Sequence, residues 1–137
     1  MKFSTRSEYG LRALVILATK FGEGPLPLRQ VAASEQLSEH YLEQLFRDLK
    51  HAGLLVSVRG ASGGYALAKE PAKMNLKEII IALEGEIAPC DCVREGEGVA
   101  CLRNQPCLVQ PLWYKLRDGM NQMLEGISLA DICSGNI

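Results

Sequence analysis

The 137-residue chain is short of several features that mark other classes of protein. No apolar run approaches the roughly 20 residues needed to span a bilayer, and residues 1–6 do not resemble a signal peptide, so we expect a cytoplasmic protein with no membrane partner. The net charge is only −1, which gives no overall signature of nucleic-acid binding. The only histidines are His40 and His51, and no Ser/His/Asp or Cys/His constellation is apparent. We therefore expect neither an enzyme nor a small-molecule substrate.

The composition is that of an ordinary globular domain, with 47% hydrophobic and 23% charged residues. Charge is distributed unevenly along the chain. Residues 1–65 carry eight basic and six acidic side chains, whereas residues 66–137 carry seven basic and ten acidic ones. The N-terminal half is therefore the better candidate for contact with DNA.

Hydrophobic periodicity and turn residues divide the chain into three parts. The predicted elements are helices over residues 6–20, 28–34, 39–52, 76–84 and 108–124, and strands over residues 54–58 and 65–68. The predicted fold is mainly α with a small β-hairpin wing. It consists of a winged helix-turn-helix over residues 1–86, a cysteine-rich loop over 87–107, and a long C-terminal dimerisation helix with a tail over 108–137.

The third helix and the hairpin tip carry the side chains expected to contact DNA. Ser38, His40, Glu43 and Gln44 lie near the N-terminal end of this helix, where a recognition helix meets base edges. A glutamate can accept from cytosine and a glutamine can pair with adenine. At the hairpin tip, Arg59-Gly60 combines a cation with a glycine that lets the backbone approach phosphates closely. The alternative is a protein-interaction module whose acidic helix face is merely solvated.

Four of the five cysteines, Cys90, Cys92, Cys101 and Cys107, lie in the predicted loop. An odd cysteine count and the absence of a secretory segment argue against a disulfide framework. Thiolates in one loop can converge on an iron–sulfur cluster, and zinc takes the same ligands. Spacing alone does not choose between these metals.

Two sequence runs carry a family resemblance: Tyr-Leu-Glu-Gln-Leu-Phe over residues 41–46, and Val-Arg-Gly-Ala-Ser-Gly-Gly-Tyr over residues 58–65. They resemble the iron–sulfur cluster regulator IscR and the wider family of repressors that includes the nitric-oxide sensor NsrR and the cysteine regulator CymR. The resemblance spans residues 1 to about 132. It implies that the third helix reads the major groove of double-stranded DNA and that Arg59 enters the minor groove.

The same resemblance implies a [2Fe-2S] cluster held by Cys92, Cys101 and Cys107. The chain departs from the family pattern because Gln110 stands where the family has a histidine ligand. The fourth ligand is therefore open between Glu8 of the opposite subunit, Cys90 and Gln110, and a [4Fe-4S] cluster remains an alternative.

The last long helix is expected to form a homodimer. Trp113, Leu116, Met120, Met123 and Leu124 make an apolar stripe too long for so small a core to cover. Two-fold pairing would bury the stripe and set two winged domains about one helical turn apart on a palindromic operator. The alternative is a helix that folds back on its own domain.

The expected function is a transcriptional regulator that senses iron–sulfur status and controls genes of cluster biogenesis. A repressor that responds to nitric oxide or redox state, and a zinc-stabilised DNA binder, are the alternatives. The sequence leaves the operator and the sign of regulation open.

Overall fold

The computed structural model of the protein describes residues 2–95 and 106–137. The helices are α1 Thr5–Thr19, α2 Leu28–Glu35, α3 Glu39–His51, α4 Leu76–Glu84, α5 Gln110–Glu125 and α6 Leu129–Ser134, and the strands are β1 Leu55–Val58 and β2 Gly64–Leu67. Short 3₁₀ turns occupy Pro71–Lys73 and Asp91–Val93. The prediction of a mainly helical winged fold is confirmed, although α5 begins two residues later than the periodicity suggested.

The N-terminal end of α1 is tied to the C-terminal end of α4. The Glu84 carboxylate accepts from Ser4 N at 2.6 Å and from Ser7 Oγ at 2.8 Å. Burial alone would raise the pKa of Glu84, but these hydrogen bonds outweigh it and leave the pKa below its ordinary value. Arg6 donates from Nε to Leu83 O at 2.9 Å and forms an ion pair with Asp48 on α3. Arg6 therefore fixes α3 relative to α1 and α4.

One hydrophobic core holds the helices and the hairpin together. It draws on α1, α2, α3, both strands, α4 and α6, and its fully covered members include Leu14, Val31, Leu42, Phe46, Leu49, Met74, Ile79 and Leu129. Such apolar burial is the main source of the fold's stability.

The turn between α2 and α3 is set by local backbone chemistry. Gln36 adopts a left-handed conformation with φ of +56°, and this conformation ends α2. Ser38 then caps α3, its Oγ accepting from Tyr41 N at 3.1 Å, as the sequence predicted. After α3, Gly53 has a φ of +79°, which directs the chain into the hairpin.

The wing is an antiparallel pair in which Leu55 faces Leu67 and Val58 faces Gly64. Leu26 extends this sheet by one bridge, with Leu26 N donating to Tyr65 O at 2.9 Å and Tyr65 N donating to Leu26 O at 2.8 Å. Gly64 sits at the crossing with a φ of +154°, and a Cβ there would lie 2.0 Å from Leu26 O. Only glycine fits this position.

The chain after α5 belongs to the core. The sequence predicted at most a short turn after Ser128, but α6 is a helix whose Leu129 is fully buried. Leu76 N donates to Ile127 O and Leu129 N donates to Met74 O, both at 2.8 Å. The tail thus braces the start of α4. None of the helices in residues 2–95 and 106–137 combines the length and apolar character needed to cross a membrane.

Candidate DNA interface and cysteine site

The α3 helix has one buried face and one exposed face. Leu42, Leu45, Phe46 and Leu49 are buried against the core. The predicted DNA contacts Ser38, His40, Glu43 and Gln44 are all exposed on the surface of the protein. The apolar spacing of the helix therefore determines which polar side chains are available to a partner.

Two local hydrogen bonds order this exposed face. The Ser38 hydroxyl is engaged as the N-cap of α3, so its structural role is clear, while its contact with DNA stays a prediction. Gln44 Nε2 lies 3.2 Å from His40 Nε2, one helical turn away. This hydrogen bond aligns the two side chains along the helix. A DNA base that bound the same atoms would have to replace it.

The wing carries Arg59 and Gly60 at its exposed tip. Gly60 has a φ of +114° and its carbonyl accepts from Gly63 N at 3.1 Å, so the tip is a closed turn. The Phe46 and Tyr65 rings meet edge to face, with centroids 5.0 Å apart, and anchor the wing on α3. The α3 helix and the wing are therefore held together, and both line one cleft on the surface.

Two basic residues that sequence reasoning missed lie on the same surface. Arg29, exposed in the first turn of α2, shares a concave cleft with Glu39, Ser57 and Gly60. Lys50 Nζ donates to Ser57 Oγ at 2.6 Å, which joins the end of α3 to β1. The available signal for Arg29 was its place at the start of the first helix of the motif, which crosses the DNA backbone in such proteins.

The cysteine loop begins directly after α4. Cys90 has extended backbone angles and precedes the 3₁₀ turn Asp91–Val93, and its Sγ lies 3.4 Å from Cys92 Sγ. Both thiols are half-buried, as is Cys107 just before α5. Cys101 lies outside the described residues. Cys133, on α6, is exposed as a whole residue. Partial desolvation of its thiol raises the pKa of that group.

Two polar side chains of α5 hold this loop. Asn121 Nδ2 donates to Ile87 O at 3.1 Å, and Arg117 Nη1 donates to Val93 O at 2.9 Å. A hydrogen bond to Asp118 raises the pKa of Arg117, so its guanidinium stays charged. The segment containing Cys90 and Cys92 is therefore fastened to α5 at both ends.

The other proposed ligands lie on helices: Gln110 N donates to Cys107 O at 3.4 Å, and Glu8 is on α1. Glu8 is exposed in the first turn of α1, and Gln110 is the half-buried first residue of α5. Within residues 2–95 and 106–137 of one chain, no three Cys, His, Asp or Glu side chains converge as a metal site. A contribution from Glu8 of a second copy, which the family resemblance implies, stays a prediction.

The apolar stripe predicted for α5 is divided between two faces. Leu124 packs against the core, and Trp113 and Met120 are half-buried. In contrast, Leu112, Leu116 and Met123 are 50%, 43% and 60% exposed. One side of the helix therefore packs on its own domain, while the other side presents exposed apolar residues, and the homodimer stays a prediction.

Comparisons with known proteins all point to one family of transcriptional regulators. The profile of the Rrf2 family, described as iron-dependent transcriptional regulator, matches residues 3–135. The transcriptional regulator CymR of Bacillus subtilis is 41% identical over 134 residues, covering 98% of this chain and 91% of CymR. IscR of Aliivibrio salmonicida is 34% identical over 137 residues, covering 99% of this chain and 79% of IscR.

Solved structures agree with these matches. The structure of CymR, the global cysteine regulator of B. subtilis, superimposes with a TM-score of 0.81 and covers 98% of this chain and 97% of that one. IscR of T. potens, at 38% identity, gives a TM-score of 0.79 and covers 100% and 89%. These relatives are transcriptional regulators and not enzymes, in agreement with the expectation from the sequence. The sequence identity to CymR, 41%, is higher than the 34% and 38% to the two IscR proteins. The chain therefore belongs to the Rrf2 family of winged-helix, DNA-binding transcriptional regulators.

Proposed function

We propose that this protein is a homodimeric regulator that senses iron–sulfur status through a cysteine-bound cluster and controls genes of cluster biogenesis in the cytoplasm. The observation that carries the proposal is the attachment of the cysteine loop to α5 by Asn121 and Arg117, since α5 also presents the exposed apolar face. A change in the loop would thus reach the helix that sets the distance between two DNA-binding domains.

The DNA contacts proposed are those of the exposed face of α3 and the wing tip. Ser38, His40, Glu43 and Gln44 are offered to the major groove, and Arg59 with Gly60 to the minor groove or phosphates. Arg6 and the Phe46–Tyr65 contact support this assignment because they hold α3 and the wing in one orientation. A palindromic operator follows from two-fold symmetry.

Dimerisation is proposed through the outward side of α5. Leu112, Leu116 and Met123 recur at helical spacing, and fully burying such a side chain stabilises an interface by about 1.5–3 kcal/mol. A second copy of α5, packed around a two-fold axis, covers the same residues of both chains at once.

The donor chemistry of the loop fits an iron–sulfur cluster. Cys92 and Cys107, with Cys101, are proposed as ligands, and Cys92 has a second thiol 3.4 Å away at Cys90. Bound there, the cluster would supply a centre that responds to iron, oxygen and oxidants. A [2Fe-2S] cluster is our first choice, and zinc would use the same thiolates.

A second candidate is a regulator that responds to thiol oxidation or nitric oxide. The proximity of Cys90 and Cys92 favours it, as does the match to CymR, the cysteine regulator. In this case the loop would change state through its thiols and still act on α5 through Asn121 and Arg117.

The test is reconstitution of the full chain with iron and sulfide under anaerobic conditions. The expected result is a visible charge-transfer spectrum with about two irons and about two acid-labile sulfides in each chain, as one [2Fe-2S] cluster per chain requires. A colourless protein that retains zinc, or that takes up no iron and sulfide, would reject the cluster and leave the thiol-oxidation candidate. Substitution of Cys133, which lies outside the loop, is the matched control.

A further inference from the structure

We propose that a cavity between the end of α1 and the wing binds a small monocarboxylate with an apolar body, and that this ligand acts on the wing. The cavity has a volume of about 220 Å³ and lies between the last turn of α1, the loop that follows it and strand β2. The site goes beyond the proposed function, because it involves no residue of the cysteine loop and requires no metal.

The walls of the cavity are mainly apolar. Leu17 and Leu67 are buried and form part of the lining, together with the half-buried Leu26. Phe21 also lines the cavity, although 45% of this residue is exposed. A large aromatic side chain left open beside an apolar hollow is a surface that an apolar ligand would cover.

The volume limits the ligand to a small molecule. A cavity of roughly 150 Å³ lined by apolar side chains holds one benzene molecule. At about 220 Å³, this cavity has room for a phenyl ring with a short substituent, or for an aliphatic body of the same size. Most sites for cofactors and drug-sized ligands measure roughly 300–1,000 Å³, which argues against a nucleotide here.

Lys20 gives the site its preference for an anion. Among the described residues that line the cavity, Lys20 is the one that carries a charge. It is exposed, and no acidic side chain within residues 2–95 and 106–137 forms an ion pair with it. An ammonium group beside an apolar hollow matches a ligand that has one carboxylate on an otherwise apolar surface.

The cavity adjoins the contacts that hold the wing. Tyr65 lines it and also lines the cleft that Gly60 borders at the wing tip. The Tyr65 backbone is joined to Leu26 by two hydrogen bonds, and its ring packs on Phe46 of α3 with centroids 5.0 Å apart. A ligand against Leu26 and Tyr65 would therefore stabilise one orientation of the wing on α3. It changes DNA affinity as far as it binds the free and DNA-bound conformations unequally.

Titration of phenylacetate into the full chain, followed in amide NMR spectra, tests the site without any metal. We expect saturable binding with a Kd of about 1 mM or lower, as suits a ligand of ten heavy atoms or so, with the largest shifts at Phe21, Leu26 and Tyr65. Phenylacetamide, which has nearly the same shape without the charge, should bind more weakly. Phenylacetate at saturation should change the affinity for operator DNA by about fivefold or more.

Two substitutions test the walls and the charge separately. Lys20→Gln should weaken phenylacetate binding by about two- to fivefold, the range for an exposed ion pair, and should remove the preference over phenylacetamide. Ala66→Leu adds a larger side chain to the cavity wall and should weaken the binding of both compounds. Lys73→Gln, which removes an exposed lysine elsewhere, is the matched control and should behave like the unchanged protein.

The outcomes separate this site from the proposed function. If phenylacetate shifts no residue of the cavity, or binds Lys20→Gln and Ala66→Leu as it binds the unchanged protein, the site is rejected and the cluster proposal stands. If it binds in the cavity and leaves DNA affinity unchanged, the action on the wing is rejected. Failure to take up iron and sulfide would leave this site intact. The NMR spectra also report whether each variant folds, and Lys20→Gln alters only an exposed side chain.

Discussion

Removal of the Asn121 side chain should loosen the cysteine loop from α5. In Asn121→Ala, the hydrogen bonds from Nδ2 to Ile87 O at 3.1 Å and to Arg117 O at 2.7 Å are lost. Each such bond contributes about 0.5–1.5 kcal/mol net, and a buried carbonyl left without its donor costs about 1–3 kcal/mol. Alanine returns roughly 0.7 kcal/mol through its higher helix propensity. We therefore expect the free energy of unfolding to fall by about 1–2 kcal/mol.

Urea unfolding followed by the fluorescence of Trp113 measures this change, because Trp113 is the only tryptophan and lies on the same helix. Protein concentration must be held constant, since the stability of a dimer depends on it. The matched control is Gln122→Ala, the exposed neighbour of Asn121 on α5. If the two variants unfold within about 0.5 kcal/mol of each other, the carbonyl contact does not hold the loop and the proposed route from loop to helix is refuted.

Three further changes have defined outcomes. Gly64→Ala places a Cβ 2.0 Å from Leu26 O at a φ of +154°, so we expect a loss of roughly 3 kcal/mol and a Tm lower by roughly 10 °C in a thermal melt; an unchanged melt would contradict the close crossing. Leu116→Asp puts a charge on a side chain that is 43% exposed, and should weaken the dimer by at least tenfold in sedimentation equilibrium while leaving the monomer folded. The pKa of Glu84 is lowered in the fold, so its carboxylate stabilises the protein above the ordinary value of 4.5 and this contribution is lost as pH falls below it. Glu84→Gln should therefore be less stable than the unchanged protein at neutral pH but equal to it in acid, and a stability difference that does not vary with pH would show that Ser4 adds nothing through the charge.

The winged fold was predictable because its determinants are local. Ser38 as a cap, Gly53 as a helix stop and the glycines around the wing tip each act within a few residues, and the structure uses them as expected. The apolar spacing of α3 also fixed which of its polar residues face outward. The fold and the position of the candidate DNA surface therefore followed from short-range patterns.

The role of α5 was less predictable because periodicity identifies an apolar face without identifying its partner. Leu116 and Leu124 look alike in sequence, yet one is exposed and the other packs on the core. Arg117 and Asn121 read as surface polar residues, and their contacts with backbone carbonyls of the cysteine loop depend on the fold of the whole chain.

The segment after α5 carries a local sequence signal for a helix. Ser128 and Asp131 form a capping box, a pattern that marks the start of a helix. The buried Leu129 that follows is part of the core. Recognition of this motif would have predicted α6 as a structural element rather than a short turn.

The most direct test of the central claim is DNA affinity measured anaerobically with and without the cluster, by fluorescence anisotropy on a fixed operator and at a fixed salt concentration. The proposal requires differential affinity, because a ligand shifts an equilibrium only as far as it binds the two states unequally. We expect the two forms to differ by roughly 5- to 150-fold, the usual range of such coupling, and the difference to shrink in Asn121→Ala. Equal affinity of the two forms would contradict an iron–sulfur switch in this protein.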